Sequence, residues 1–248
     1  MIVLKSLQEI ERMRVSSRMV AEILELVRER IKPGVTTIEL NDLAEAEANR
    51  RGARAAFKGY SGYRYSLCCS VNSQVIHGLP SKRVLREGDI LSVDFGIVKD
   101  GFYGDAALTI PVGKISDTAS RLLSVTQESL YAAIEFAQSG NRLSDISHAV
   151  QKFVEARGYS VVREFVGHGI GRKLHESPQI PNYGPPGKGV RLKPGMVLAI
   201  EPMINEKGYA VSVLEDGWTT VTCDGGLSAH FEHTVAITAN GPDILTKL

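Results

Sequence analysis

Two aspartates, Asp94 and Asp105, bracket a chain reversal in a run of strand-forming residues. Between them, Asp100-Gly101 is a two-residue hairpin signal, because both residue types tolerate the left-handed backbone that such a turn needs. If Lys99 pairs with Phe102, opposed residues sum to 201, which sets Asp94 against Ala107 and Asp105 against Gly96. Strand side chains alternate, so Asp94 and Gly96 share a face. The two acids then lie diagonally on one face, with backbones roughly 7–8 Å apart. Their carboxylates can converge on one cation. Val93, Phe95 and Ala106-Ala107-Leu108 surround them, and ionised carboxylates among apolar groups need a partner. At an effective dielectric of about 20, two like charges ~4 Å apart repel by about 4 kcal/mol. A divalent cation reverses that sign. From the hairpin alone, the alternative is two solvated acids on an exposed face.

Three further residues extend the set. Glu201 ends the apolar strand that leads into Ile200-Glu201-Pro202, and Glu232 lies in Ala229-His230-Phe231-Glu232-His233-Thr234. His168 sits in Gly167-His168-Gly169-Ile170-Gly171, where glycines let backbone crowd a site. Taken singly, Glu201 reads as a strand-end charge and His168 as a core histidine. A phosphate-loop reading of the glycines fails, since no Walker lysine stands at the required spacing.

In order and in flanking strings, Asp94, Asp105, His168, Glu201 and Glu232 resemble the metal-ligand set of the methionine aminopeptidases. Asp100-Gly101-Phe102-Tyr103-Gly104-Asp105, Ile200-Glu201-Pro202-Met203, Asp216-Gly217-Trp218 and Phe231-Glu232-His233-Thr234 carry the likeness, which spans nearly the whole chain. It looks like type I, since His168 and Glu201 are 33 positions apart and Glu201 and Glu232 only 31, and no extension of the eukaryotic type I kind is expected before the first helix. The resemblance implies an α+β "pita-bread" fold with two pseudo-symmetric halves, a curved antiparallel sheet and outer helices. It implies that Asp94 binds one metal, that His168 and Glu201 bind the other, and that Asp105 and Glu232 bridge them. Four carboxylates and two divalent ions then leave a near-neutral site. Oxygen donors with one imidazole suit Mn, Fe(II), Co or Zn.

By the same resemblance, His77 contacts the scissile amide, His175 hydrogen-bonds the carbonyl oxygen, and Glu201 carries a proton. The methionine pocket draws on Phe57, Tyr60, Tyr63, Cys68, His77, His175 and Trp218. Aromatic rings and a small thiol suit a polarisable thioether. Cys68 is expected as a wall rather than a nucleophile. Leu174 stands where many members have Phe, and His230 where a Gln is expected. His233 is expected to be structural, and His148 to lie on a helix surface.

These residues need elements to hold them. Ser6-Leu7-Gln8-Glu9 is a capping box, followed by apolar residues at helical spacing from Ile10 to Ile31 and a stop at Pro33-Gly34. Thr36 to Glu39 opens a second helix, which Gly52 ends. Downstream, a helix from about Asp117 is expected to reach Gly140, and the next to stop at Gly158. The segments 85–94 and 192–201 also align, each ending in an acid, at an offset of 107 against 106 for the glycines. A duplicated unit follows, with halves of roughly 1–113 and 114–248 in a single catalytic domain. Ser177 to Gly189, rich in Pro and Gly, is expected to be a long loop forming a rim or lid.

Composition bounds the rest. The 248 residues carry 29 Lys plus Arg against 28 Asp plus Glu, without the basic surplus of a nucleic-acid or membrane-surface protein. Three cysteines, two of them adjacent, make no disulfide framework. A cytoplasmic monomer is expected, acting on nascent N-termini with a small second residue near the ribosome, with no membrane or specific nucleic-acid partner. Two alternatives remain: an Xaa-Pro aminopeptidase or prolidase, whose chains carry an added N-terminal domain, and a non-catalytic ribosome- or RNA-binding relative.

Overall fold

The structure is a computed structural model and describes residues 2–248. Among these residues, four α-helices cover a nine-stranded antiparallel sheet. The first helix, α1 (Leu7–Arg30), starts at the expected capping box, with Ser6 Oγ accepting from the Glu9 amide and Glu9 accepting from the Ser6 amide. It buries Ile10, Met13, Val20, Ile23, Leu24 and Val27, each worth roughly 1.5–3 kcal/mol of burial. Then come α2 (Thr37–Arg50), α3 (Asp117–Ile134) and α4 (Leu143–Glu155).

Seven strands run side by side: Arg54–Ala55, Ile90–Lys99, Phe102–Pro111, Glu232–Thr238, Val197–Ile200, Gly167–Gly169 and Glu176–Ile180. Cys68–Val71 also pairs with Ile90–Lys99, and Gly241–Ile244 with Glu232–Thr238. The hairpin adopts the expected register without a bulge, from Ile90 opposite Pro111 to Lys99 opposite Phe102. Asp100 and Gly101 both take positive φ, 50° and 78°, as a turn matched to strand twist requires.

Alternation then separates two faces. Leu91, Val93, Phe95 and Ile97 point into a core shared with Val20, Leu24 and Leu40 of α1 and α2. Leu198, Ile200, Val235 and Ile237 do the same beneath α3 and α4. The intervening residues, including Asp94, Asp105, Ala199 and Glu232, face away from the helices. Each half of the chain repeats one set of bonds. Gly34 N donates to Leu85 O at 2.9 Å and Leu85 N to Val35 O at 2.8 Å; Gly140 N donates to Leu192 O at 3.0 Å and Leu192 N to Asn141 O at 2.8 Å.

Two expectations need correction. Helix α3 ends at Ile134, not near Gly140; its path tightens, with Phe136 N bonding Ala133 O and Ala137 N bonding Ile134 O, the narrower pattern common at helix ends. Residues 177–180 are not loop but part of the edge strand Glu176–Ile180. An edge position accommodates Pro178, which cannot donate to a ladder.

Candidate active site

Four strands carry the acids in two adjacent rows. Cys68 faces Asp94, Asp94 faces Ala107, and Ala107 faces Glu232. In the next row Asp105 faces Gly96 and is tied to Thr234, whose hydroxyl accepts from the Asp105 amide at 3.2 Å and donates to its carbonyl at 2.7 Å. Thr234 faces Ala199, and Ala199 faces His168. Glu201, two residues beyond Ala199, emerges on the same side. The alanines and the glycine matter because they hold the floor low between charged groups. A Cβ on Gly96 would sit 3.1 Å from Asp105 Oδ1 and 2.9 Å from the Phe57 ring.

The convergence is close. Ligand atoms of Asp105, His168 and Glu232 lie within 4.8 Å of one another, and so do those of Glu201, His230 and Glu232. Asp94 is outside both groups but near enough for its charge to act on Asp105 and Glu232. Asp94 Oδ1, Asp105 Oδ1 and Glu232 Oε1 are buried without a hydrogen-bond partner. Such groups are costly to leave unpaired. Burial pushes Asp94 up to about 7 and Glu201 up to about 8. Asp105 and Glu232 rise well above the usual carboxylate range, through burial first and then their neighbours' charge. Without a cation this cluster holds protons instead of charge below about pH 7.

The imidazole is prepared differently. Burial pushes His168 down to about 3, so its ring is neutral. Its Nδ1–H donates to Gly169 O at 2.9 Å, which leaves the Nε2 lone pair 3.6 Å from Glu201 Oε1. A ring oriented by a backbone carbonyl on one nitrogen is a normal arrangement for a metal ligand on the other. Unpaired carboxylate oxygens and a neutral imidazole, converging on one point, fit divalent cations.

These groups open into a cavity of ≈ 210 Å³. All five expected ligands and all seven expected substrate contacts line it, together with Ser61 and Leu174. Tyr63 lies edge-on to Trp218 at 5.0 Å, and its hydroxyl donates to Leu67 O and Gly78 O. His77 stands edge-on to Phe165 and Trp218 and takes a left-handed backbone, φ 58°, a strain that tends to persist at functional positions. Burial pushes it down to about 4. Cys68 goes well above the usual thiol range, through burial and then Asp94, so it is an inert wall. At the rim, His175 Nδ1 meets the Tyr60 hydroxyl at 2.7 Å, and its ring lies 4.2 Å from that of His168.

Ser61 was not expected here. Its only signal is the Gly59-Tyr60-Ser61-Gly62 string, three of whose residues take positive φ. No residue of the segment 177–189 lines the cavity among the described residues, and the segment meets the site through Asn182, whose side-chain amide donates to Glu201 O at 3.0 Å. His148 is half-buried and meets Gly184 O at 3.2 Å, where a surface position was expected. His233 points to Thr246 and Tyr131 and is structural.

The description "Metallopeptidase family M24" belongs to the family model that matches residues 11–239. A methionine aminopeptidase of Clostridium perfringens is 54% identical over all of both chains, and methionine aminopeptidase 1 of Bacillus subtilis is 54% identical over the same span. Among solved structures, the methionine aminopeptidase of Thermotoga maritima superposes with a TM-score of 0.98 at 51% identity, covering 100% of each chain. The chain belongs to metallopeptidase family M24, and within it to the methionine aminopeptidases. Its sheet and helices are accordingly those of the α+β pita-bread fold.

Proposed function

We propose that this chain removes the N-terminal methionine from nascent proteins and peptides with a small second residue. It uses two divalent ions, drawn from Mn, Fe(II), Co or Zn, held by Asp94, Asp105, His168, Glu201 and Glu232. It acts as a cytoplasmic monomer near the ribosome, as one catalytic unit with related halves of roughly 1–113 and 114–248. No helix among the described residues is long and apolar enough to cross a membrane. The observation that carries the reading is a row of unpaired buried carboxylates opening into a small aromatic cavity.

When bound, such ions lower the pKa of water and polarise a peptide carbonyl. The protein's own groups do the rest. Tyr63, Trp218, Phe57 and Cys68 enclose the methionine side chain, whose burial is worth roughly 1.5–3 kcal/mol and whose sulfur gains from the ring edges. Larger side chains are excluded by the walls. If the Tyr60 hydroxyl donates to His175 Nδ1, the His175 proton sits on Nε2 and can hydrogen-bond the developing oxyanion. His77, neutral through burial, is placed to hydrogen-bond the scissile amide. Glu201 is poised to take a proton and return it to the leaving amine.

The test is release of free methionine from Met-Ala-Ser, against Leu-Ala-Ser and Ala-Pro-Ser, with each of the four metals. Methionine release alone is expected. Preferred cleavage of Ala-Pro-Ser would replace this reading with an Xaa-Pro peptidase, and no metal-dependent turnover with a binding protein.

A further inference from the structure

His230 stands apart from the five expected ligands, yet it is built into their cluster. It ends the strand Ser228–His230, which pairs with Met203–Asn205 in a separate sheet. Its backbone is fixed on both sides by Thr109: the His230 amide donates to Thr109 Oγ1 at 2.9 Å, and that hydroxyl donates to His230 O at 2.8 Å. The ring is 1% exposed, and Nε2 has no hydrogen-bond partner. That nitrogen lies 3.6 Å from Glu201 Oε2, while His168 Nε2 lies 3.6 Å from the other oxygen, Oε1.

One carboxylate therefore sits between two imidazoles at equal distance. A separation of 3.6 Å is too long for a hydrogen bond. It lies within the span of two donors that share an ion at roughly 2.0–2.2 Å from each. The two groups of converging donors overlap only at Glu232: one contains His168, the other His230.

We propose that His230 Nε2 is a direct ligand of the ion that the resemblance assigns to Asp94, with Glu201 lying between the two ions, Oε1 towards His168 and Oε2 towards His230, so that each of the two ions has an imidazole of its own. This rests on the two-ion reading above and departs from the single-imidazole set that the resemblance implies. A second imidazole moves the donor set away from all-oxygen coordination. It favours Fe(II), Co and Zn over Mn.

The test uses the full chain, stripped of metal and titrated with Co(II) alone. In His230→Gln, one of the two Co(II) ions should bind more than about a hundredfold more weakly than in the unaltered protein, beyond what loss of a ligand's outer hydrogen-bond partner costs, with the other unchanged. X-ray absorption of the unaltered protein with two Co(II) should count two imidazole nitrogens, falling to one in the variant. Equal affinities in both proteins, or a single imidazole in the unaltered protein, would overturn the assignment of His230 alone. Failure of the unaltered protein to hold two Co(II) would overturn the two-ion reading, and His230 with it. Should His230→Gln not fold, as read by circular dichroism, the absorption count on the unaltered protein decides.

Discussion

Removing divalent cations should make this protein less stable as pH rises. Asp94 moves from an ordinary 3.8 up to about 7, and Glu201 from 4.5 up to about 8, both through burial. In the unfolded chain the same groups release their protons at their ordinary values. Between those limits the folded metal-free protein binds more protons than the unfolded chain, so stability falls with rising pH. The contribution is full below about pH 4 and lost as pH rises through about 7 for Asp94 and about 8 for Glu201. One pH unit is worth about 1.4 kcal/mol per group. From pH 5.5 to 7, Asp94 alone then costs about 2 kcal/mol, and Glu201 adds to it. With a urea dependence of about 1–3 kcal/mol per M, the midpoint should drop by about 1 M or more. The assay is urea denaturation from pH 5.5 to 8 in chelator, repeated in excess Mn(II). The loaded protein should not lose stability over that range, because the cations replace the protons. A chelated protein equally stable or more stable at pH 8 would refute the electrostatic account of the site.

Other outcomes follow from single groups. Asp105→Ala should abolish methionine release while leaving the circular dichroism spectrum largely unchanged; robust turnover would remove Asp105 from the centre. His175→Ala should lower kcat by about a hundredfold or more with metal content intact. A defect traced wholly to lost metal would show that His175 acts as a ligand and not on the carbonyl oxygen. Gly104→Ala should destabilise the protein by about 1–3 kcal/mol, because the new Cβ would lie 2.6 Å from the Ser17 amide nitrogen of α1. An unchanged melting temperature would mean that α1 can retreat from the hairpin.

The hairpin was legible because turn chemistry sets register. Asp100-Gly101 admits one tight reversal, and every opposed pair follows from it, including the diagonal placement of Asp94 and Asp105. Helix starts were legible for a similar reason, since Ser6 with Glu9 and Thr36 with Glu39 satisfy local bonds. What escaped depends on distant packing. The end of α3 at Ile134 reflects a tightened turn before Gly140, and a glycine pattern alone does not reveal it. Residues 177–180 read as loop from their prolines, yet the Gly167–Gly169 strand recruits them as a sheet edge. His230 could be seen only as a departure from a pattern. Its approach to Glu201 depends on how the strand Ser228–His230 leaves one sheet before Glu232–Thr238 enters another.

The most direct measurement is anomalous diffraction from crystals of the protein grown with Mn or Co. Two anomalous peaks should appear inside the cavity, within bonding distance of Asp94, Asp105, His168, Glu201 and Glu232. An ordered pocket with no peak, its carboxylates paired through shared protons, would contradict the claim that dications hold this cluster together.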